Sequence, residues 1–173
     1  MSYRGWLGAL GVAAVSLAGA AACASLGLGT VVQPPRISAS GTQDAQLNLV
    51  GPTMNNPYGG ARIRLYARVE NPNPFGMTLA SLGGRLFLQS QEAALVDLPM
   101  GLPLLASQDT VVPIDLTIGF DDVPNLLDVV RNALGGGSLD YRLDGTVGVD
   151  AGALGTPTFG PMTLMEGDVR VFD

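Results

Sequence analysis

ARIRLYARVENPNPFG, Ala61 to Gly76, holds the pattern that decides the fold. Through Glu70 it alternates strictly: Ile63, Leu65, Ala67 and Val69 share one parity, and Arg62, Arg64, Tyr66, Arg68 and Glu70 the other. Period two over this length is the signature of a strand with one face in a core and one in water. The arginines then read as a solvated outer face in preference to an anion-binding strip. Two Asn-Pro pairs follow. Pro72 and Pro74 have no N–H to give a ladder, so pairing of this strand must end near Glu70 or run on only along an edge. Asn71 and Asn73, each before a proline, are pushed toward extended backbone, and their side chains can close Asx-turns. Phe75 is expected to tuck into the core past the bend, and Asn71-Pro72-Asn73-Pro74-Phe75 reads as a structural turn motif, not a ligand site.

The same alternation recurs outward from this strand. Leu82, Leu86 and Leu88 share a parity, as do Val112, Ile114, Leu116 and Ile118, then Leu139, Tyr141, Leu143, Val147 and Val149, and finally Val169 and Val171. Weaker strand candidates lie at 37–39 and 46–50. With turn residues between the runs, the pattern predicts a mainly β domain, an antiparallel sandwich of about seven strands. One segment breaks the period. In DDVPNLLDVVRNALGGG, residues 121–137, Val123, Leu126, Leu127, Val130 and Leu134 fall on one helical stripe, and Asp128 and Arg131 pair at i,i+3. Asp121 or Asp122 caps this short helix, expected over about 121–134, Pro124 suits its first turn, and the glycines stop it. Its stripe is expected to close one end of the sandwich.

Composition removes most chemistry. The chain has 173 residues, 47% of them hydrophobic and 14% charged, enough for one packed domain and too apolar for disorder. All nine basic residues are Arg and there is no His. Without His there is no Ser-His-Asp or Cys-His nucleophile pair and no imidazole-built zinc site; without Lys there is no Schiff base and no P-loop lysine. A net charge of -6 argues against nucleic acid, which needs clustered cations. Asp140, Asp144 and Asp150 sit on the wet side of one expected strand and match neither a calcium loop nor a carboxylate pair in a cleft. No catalytic residue, metal site or cofactor is expected.

The first residues are of another kind. MSYRGWLGALGVAAVSLAGAAACASLGLG carries one charge, Arg4, and none further until Arg36. A basic start, an apolar run from Trp6 to Leu17 and the small residues Ala18 to Ala22 have the layout of an export signal, 1–22. Cys23, the only cysteine, follows directly and resembles the modified cysteine of a bacterial lipobox, though Ala20 stands where a bulky aliphatic is usual. A lipidated Cys23, an uncleaved apolar anchor and an ordinary cleaved signal all fit this layout, and each exports the domain or pins it to a membrane. Residues 23–35, ending in QPPR with Arg36, read as a tether, and 36–173 as the domain.

The order of features then carries a resemblance. ENPNPFGMTLASLGGRLFL, then LPLLASQDTVVPIDLTIGFDDVPNLLDVV, then LDYRLDGTVGVD, then PTFGPMTLMEGDVRV is similar to the type 2 late embryogenesis abundant family, whose domain is also called WHy, for water stress and hypersensitive response. The resemblance spans most of 36–173. It implies a fibronectin III-like sandwich with one helix and a non-enzymatic role in desiccation, osmotic, cold or oxidative stress. It also implies export or lipid anchoring in bacterial relatives, and offers no catalytic residues to carry over. The expected partners are therefore a membrane, through the anchor, and partly unfolded client proteins at the cell envelope, facing the periplasm or the cell surface. The competing expectation is an accessory subunit of an envelope complex that binds a fixed protein through apolar turns such as LPMGLPLLA, 98–106.

Overall fold

The computed structural model describes residues 32–54, 57–120, 128–129, 131 and 137–172. Eight strands follow one another: β1 (Arg36–Ala39), β2 (Ala45–Val50), β3 (Gly60–Glu70), β4 (Met77–Leu88), β5 (Gln91–Leu104), β6 (Asp109–Gly119), β7 (Ser138–Asp150) and β8 (Thr158–Phe172). β3 is the alternating strand of the opening stretch. Along one side it pairs with β6 over its whole length. Along the other it takes β1 at one end, Ile37 opposite Val69, and β2 at the other, Leu47 opposite Ile63. β2 passes the sheet on to β8, and the order continues β8-β7-β4-β5.

The fold is thus mainly β, as the alternation requires, with two differences from the expected layout. Eight strands are described, and the sheet is mixed: β2 and β8 run parallel, Leu47 beside Val171, while the other described pairings are antiparallel. This parallel contact joins the first half of the chain to its last strand, a long-range pairing that local pattern does not encode.

One buried cluster serves the whole sheet. Ile63 and Leu65 of β3, Leu79, Leu86 and Leu88 of β4, and Leu143 and Val147 of β7 are wholly buried within it, each removing roughly 1.5–3 kcal/mol of apolar side chain from water. Register irregularities adjust the parity, two of them within the buried cluster. β4 slips register between Leu79 and Ser81 against both neighbours, so Leu79 and Leu82 both point inward although their numbers differ in parity. β8 slips between the partners of Leu143 and Asp144, and both Leu164 and Met165 are buried.

The core also reaches further toward the N-terminus than composition implies. Val32 is wholly buried and belongs to the cluster, and Pro35 is buried beside it. The packed body therefore takes in residues 32–35, assigned above to the tether. The expected helix lies outside the described residues except for Asp128, Val129 and Arg131, which are helical. Asp128 and Arg131 approach to 3.9 Å, and Val129 packs against the core.

Gly145 occupies an inward position of β7 between Leu143 and Val147, directly opposite Gly84 of β4. A Cβ on Gly145 would run into the Gly83 carbonyl and the Gly84 Cα, so these two strands can approach only while both positions lack side chains. Gly145→Ala is expected to cost about 1–3 kcal/mol, by overpacking. Gly41→Ala, where an added Cβ meets nothing within 4 Å, is the control. Thermal melts check the difference, at roughly 2–4 °C per kcal/mol for a chain of this size.

Candidate functional site: a buried asparagine pair and the surfaces around it

Among the described residues, Asn71 and Asn73 are the buried polar side chains of the core, at 0% and 1% exposure. A buried amide is tolerated only when its donors and acceptors are met, and these are. The Asn71 Nδ2 donates to the carbonyls of Phe75 at 2.8 Å and Leu105 at 3.1 Å. Its Oδ1 accepts from the Asn73 backbone N–H and from Asn73 Nδ2, both at 3.0 Å, the first of these closing an Asx-turn. Asn73 Nδ2 also donates to the Gln33 carbonyl at 2.9 Å, while Gln33 N–H donates back to Asn73 Oδ1 at 2.8 Å. Backbone bonds complete the knot: Asn71 N–H to the Gln108 carbonyl at 2.9 Å and Ser107 N–H to the Asn73 carbonyl at 3.0 Å.

Three stretches far apart in sequence meet here: the chain before β1, the β3–β4 bend and the β5–β6 turn. The prolines supply the geometry. A residue before proline is restricted away from helical backbone, and the prolines cost no donor where no ladder continues. Phe75, past the bend, is half-buried against the core. Sequence alone missed Gln33, whose exposed position and neighbouring prolines look like linker. The available signal was chemical, since an amide beside a core strand needs a backbone partner from somewhere.

Two of the three arginines on β3, Arg64 and Arg68, are committed to carboxylates of β6. Arg64 forks onto Asp115 of β6 with Nε at 2.6 Å and Nη2 at 2.9 Å, and Arg68 Nε meets Asp109 at 2.7 Å. Arg36 reaches Glu70 at 3.1 Å. These are exposed cross-strand pairs, positioned by β-sheet register, and with two of its three arginines taken up the row is poorly suited to an anionic ligand. On the outer side of β7, Asp144 accepts from Arg142 at 2.9 Å and Thr163 at 2.7 Å, and Asp150 accepts the Gly152 N–H at 2.8 Å. Asp140 lies opposite Asp168. Burial, then the Asp168 charge, pushes the Tyr141 hydroxyl up. Among the described residues no group of three or more His, Cys, Asp or Glu could hold a metal ion, and no helix is long and apolar enough to cross a membrane. Cys23, Asp121 and Asp122 lie outside the described residues.

Two outcomes test this geometry. Asn71→Ala leaves the Leu105 and Phe75 carbonyls and the Asn73 amide without their partner, and is expected to destabilise the fold by about 2–4 kcal/mol in urea denaturation, more than a surface Asn→Ala. The Arg64 hydrogen bond and charge hold the Asp115 carboxyl below the usual carboxylate range. A carboxyl whose folded pKa is depressed stabilises the fold above its unfolded value, near 3.9, and that contribution fades as pH falls through the lower folded value. Carbon-detected NMR titration should find the Asp115 midpoint below that of ordinary aspartates, and Arg64→Gln should move it up. An unchanged midpoint would contradict the pairing.

With this geometry established, three comparisons bear on kinship. The solution structure of AT1g01470 from Arabidopsis thaliana is similar with a TM-score of 0.57 at 16% identity, covering 81% of this chain and 85% of that one. The solution structure of a late embryogenesis abundant (LEA) protein, At2g46140.1, is similar with a TM-score of 0.51 at 16% identity, covering 82% and 73%. At such identity both speak to the fold alone. No curated protein matches the chain by sequence. The family model described as late embryogenesis abundant protein matches residues 66–163, from the second half of β3 through the Asn-Pro bend to β8. Since that match spans more than half of the 173 residues, the chain belongs to the late embryogenesis abundant protein family, LEA_2.

Proposed function

We propose that this protein is an exported, membrane-anchored stress-protection protein of the WHy type, acting without catalysis at the cell envelope. The observation that carries the reading is the family match over residues 66–163. The uncharged apolar N-terminal run ending at Cys23 supports the location, and two or more acyl chains on that residue would make the attachment stable.

The strand edges support the mode of action. Among the described residues β5 is bonded only to β4 and β6 only to β3, so each offers a row of unpaired backbone groups. Such an edge is a template for another extended chain. Here it is blunted: Pro99 and Pro103 interrupt β5, Pro113 interrupts β6, and β5 is irregular opposite Leu79 and Ser81. Leu95 of β5 is 74% exposed. Edges that can touch a partly unfolded chain but not extend a stable ladder along it give weak, reversible contacts, and anchoring concentrates them near the membrane.

The full chain should preserve the activity of a labile reporter enzyme through drying or freeze-thaw better than an equal mass of albumin; parity with albumin removes the protective role. In cells, Cys23→Ser should change the mature mass and release the protein from the membrane fraction, and unchanged processing with retained membrane binding rules out the lipid. Crosslinking that captures a single stoichiometric protein would favour an envelope-complex subunit instead.

A further inference from the structure

The end of the fold that holds the asparagine knot is bare of charge. Four connections meet there: 32–35, 71–76, 105–108 and 151–157, and none contains Asp, Glu or Arg. They share one end because Met77 lies opposite Leu104, Thr78 opposite Asp150, and Ile37 opposite Val69. The nearest charges are occupied: Arg36 with Glu70, Arg68 with Asp109, and Asp150 with the Gly152 N–H. Pro34, Pro74, Pro103 and Ala153 are exposed on this end, and Leu105 is 63% exposed although its carbonyl is bonded to Asn71. In a chain of net charge -6, a neutral apolar end is a surface that invites a partner.

The length of the leading chain says which partner. Val32 is wholly buried at this end, and Gln33 is bonded to Asn73 in both directions. Only Ala24 to Val31 separate Cys23 from the packed body. That is at most about 30 Å when taut, and roughly 15–18 Å as a flexible coil. β3, with 11 residues, is itself about 35 Å long, so the opposite end, with Met54 and Tyr58 exposed, lies farther from the attachment than the leader reaches.

We infer that the charge-free end, centred on Leu105, rests on the lipid bilayer to which the N-terminal segment is attached, with the β2–β3 connection pointing away. The inference rests on the anchoring proposed above. An acidic domain is held off an anionic headgroup layer except at its uncharged connections; the β2–β3 connection, 51–59, is one of these but lies beyond the leader's reach, whereas the end around Leu105 is where the leader emerges. Leu105 and the neighbouring prolines then contact the headgroup and upper acyl region.

The test uses the full chain, extracted from cell membranes and reconstituted into vesicles of phosphatidylethanolamine and phosphatidylglycerol with or without brominated acyl chains. Trp6, the only tryptophan, is replaced as Trp6→Phe, and a probe is placed as Leu105→Trp or Tyr58→Trp. Brominated lipid should quench Leu105→Trp about twofold or more and Tyr58→Trp by no more than about a tenth, given the depth an interfacial side chain reaches. Vesicle-bound protein with an unquenched Leu105→Trp overturns the inference and leaves the anchoring intact. A blue-shifted but unquenched probe means that a protein covers the patch, and quenching at Tyr58→Trp alone means the reverse orientation; either result overturns it. Failure to sediment with vesicles overturns the anchoring and this inference together. Matching thermal melts of the two variants show that both are folded.

Discussion

Two amide side chains, those of Asn71 and Asn73, hold together what the hydrophobic core alone would leave separate. Apolar burial drives strands to collapse but does not say which loop meets which, because it has no direction. A buried amide does have direction, and leaving it unpaired costs more than pairing it gains. The pair accepts one arrangement: Gln33 on one side, Leu105 and Phe75 on the other. It fixes the β5–β6 turn and the chain before β1 to the same bend. Val32 follows into the core because Gln33 is already held beside it.

Much of the fold is visible in the sequence because the strands obey a period of two. Ile63 to Val69, Ile114 to Ile118 and Leu139 to Val149 all fall inward at the positions alternation assigns them. Where the period slips, at Leu79 to Ser81 and beside Leu143, one extra residue reverses the inward parity, and only the neighbouring strand shows where. The parallel pairing of β2 with β8 was hidden for a related reason: it joins residues more than a hundred positions apart, and nothing local to either strand specifies a parallel neighbour. Val32 was hidden by composition, as a valine pair before Gln-Pro-Pro looks like linker until the bond between Gln33 and Asn73 is known. The asparagine motif was legible as a bend and illegible as a knot, since a turn on the surface and a turn in the core are written with the same residues.

The distribution of charge bears on the membrane role proposed above. Arg36, Arg64 and Arg68 are held along the outer faces in cross-strand pairs with carboxylates, which takes up much of the positive charge that could attract an anionic ligand. Both kinds of uncommitted surface are apolar or backbone: the proline-blunted edges of β5 and β6, and the neutral end around Leu105. A protein built in this way is suited to many shallow contacts in preference to one deep one, and the knot fixes Gln33 at the end of the fold from which those contacts would be oriented.

The measurement that bears most directly on the central role of the asparagine pair is amide hydrogen exchange at Gln33. Its N–H is bonded to Asn73 Oδ1 in a segment that belongs to no strand, so protection there reports the knot and little else. The account predicts that Gln33 is protected in the native protein and that Asn73→Ala speeds its exchange by about tenfold or more, while Ser40, whose N–H is bonded to the Tyr66 carbonyl, keeps its rate. A Gln33 amide that exchanges freely in the native chain, or is equally protected in Asn73→Ala, would contradict it.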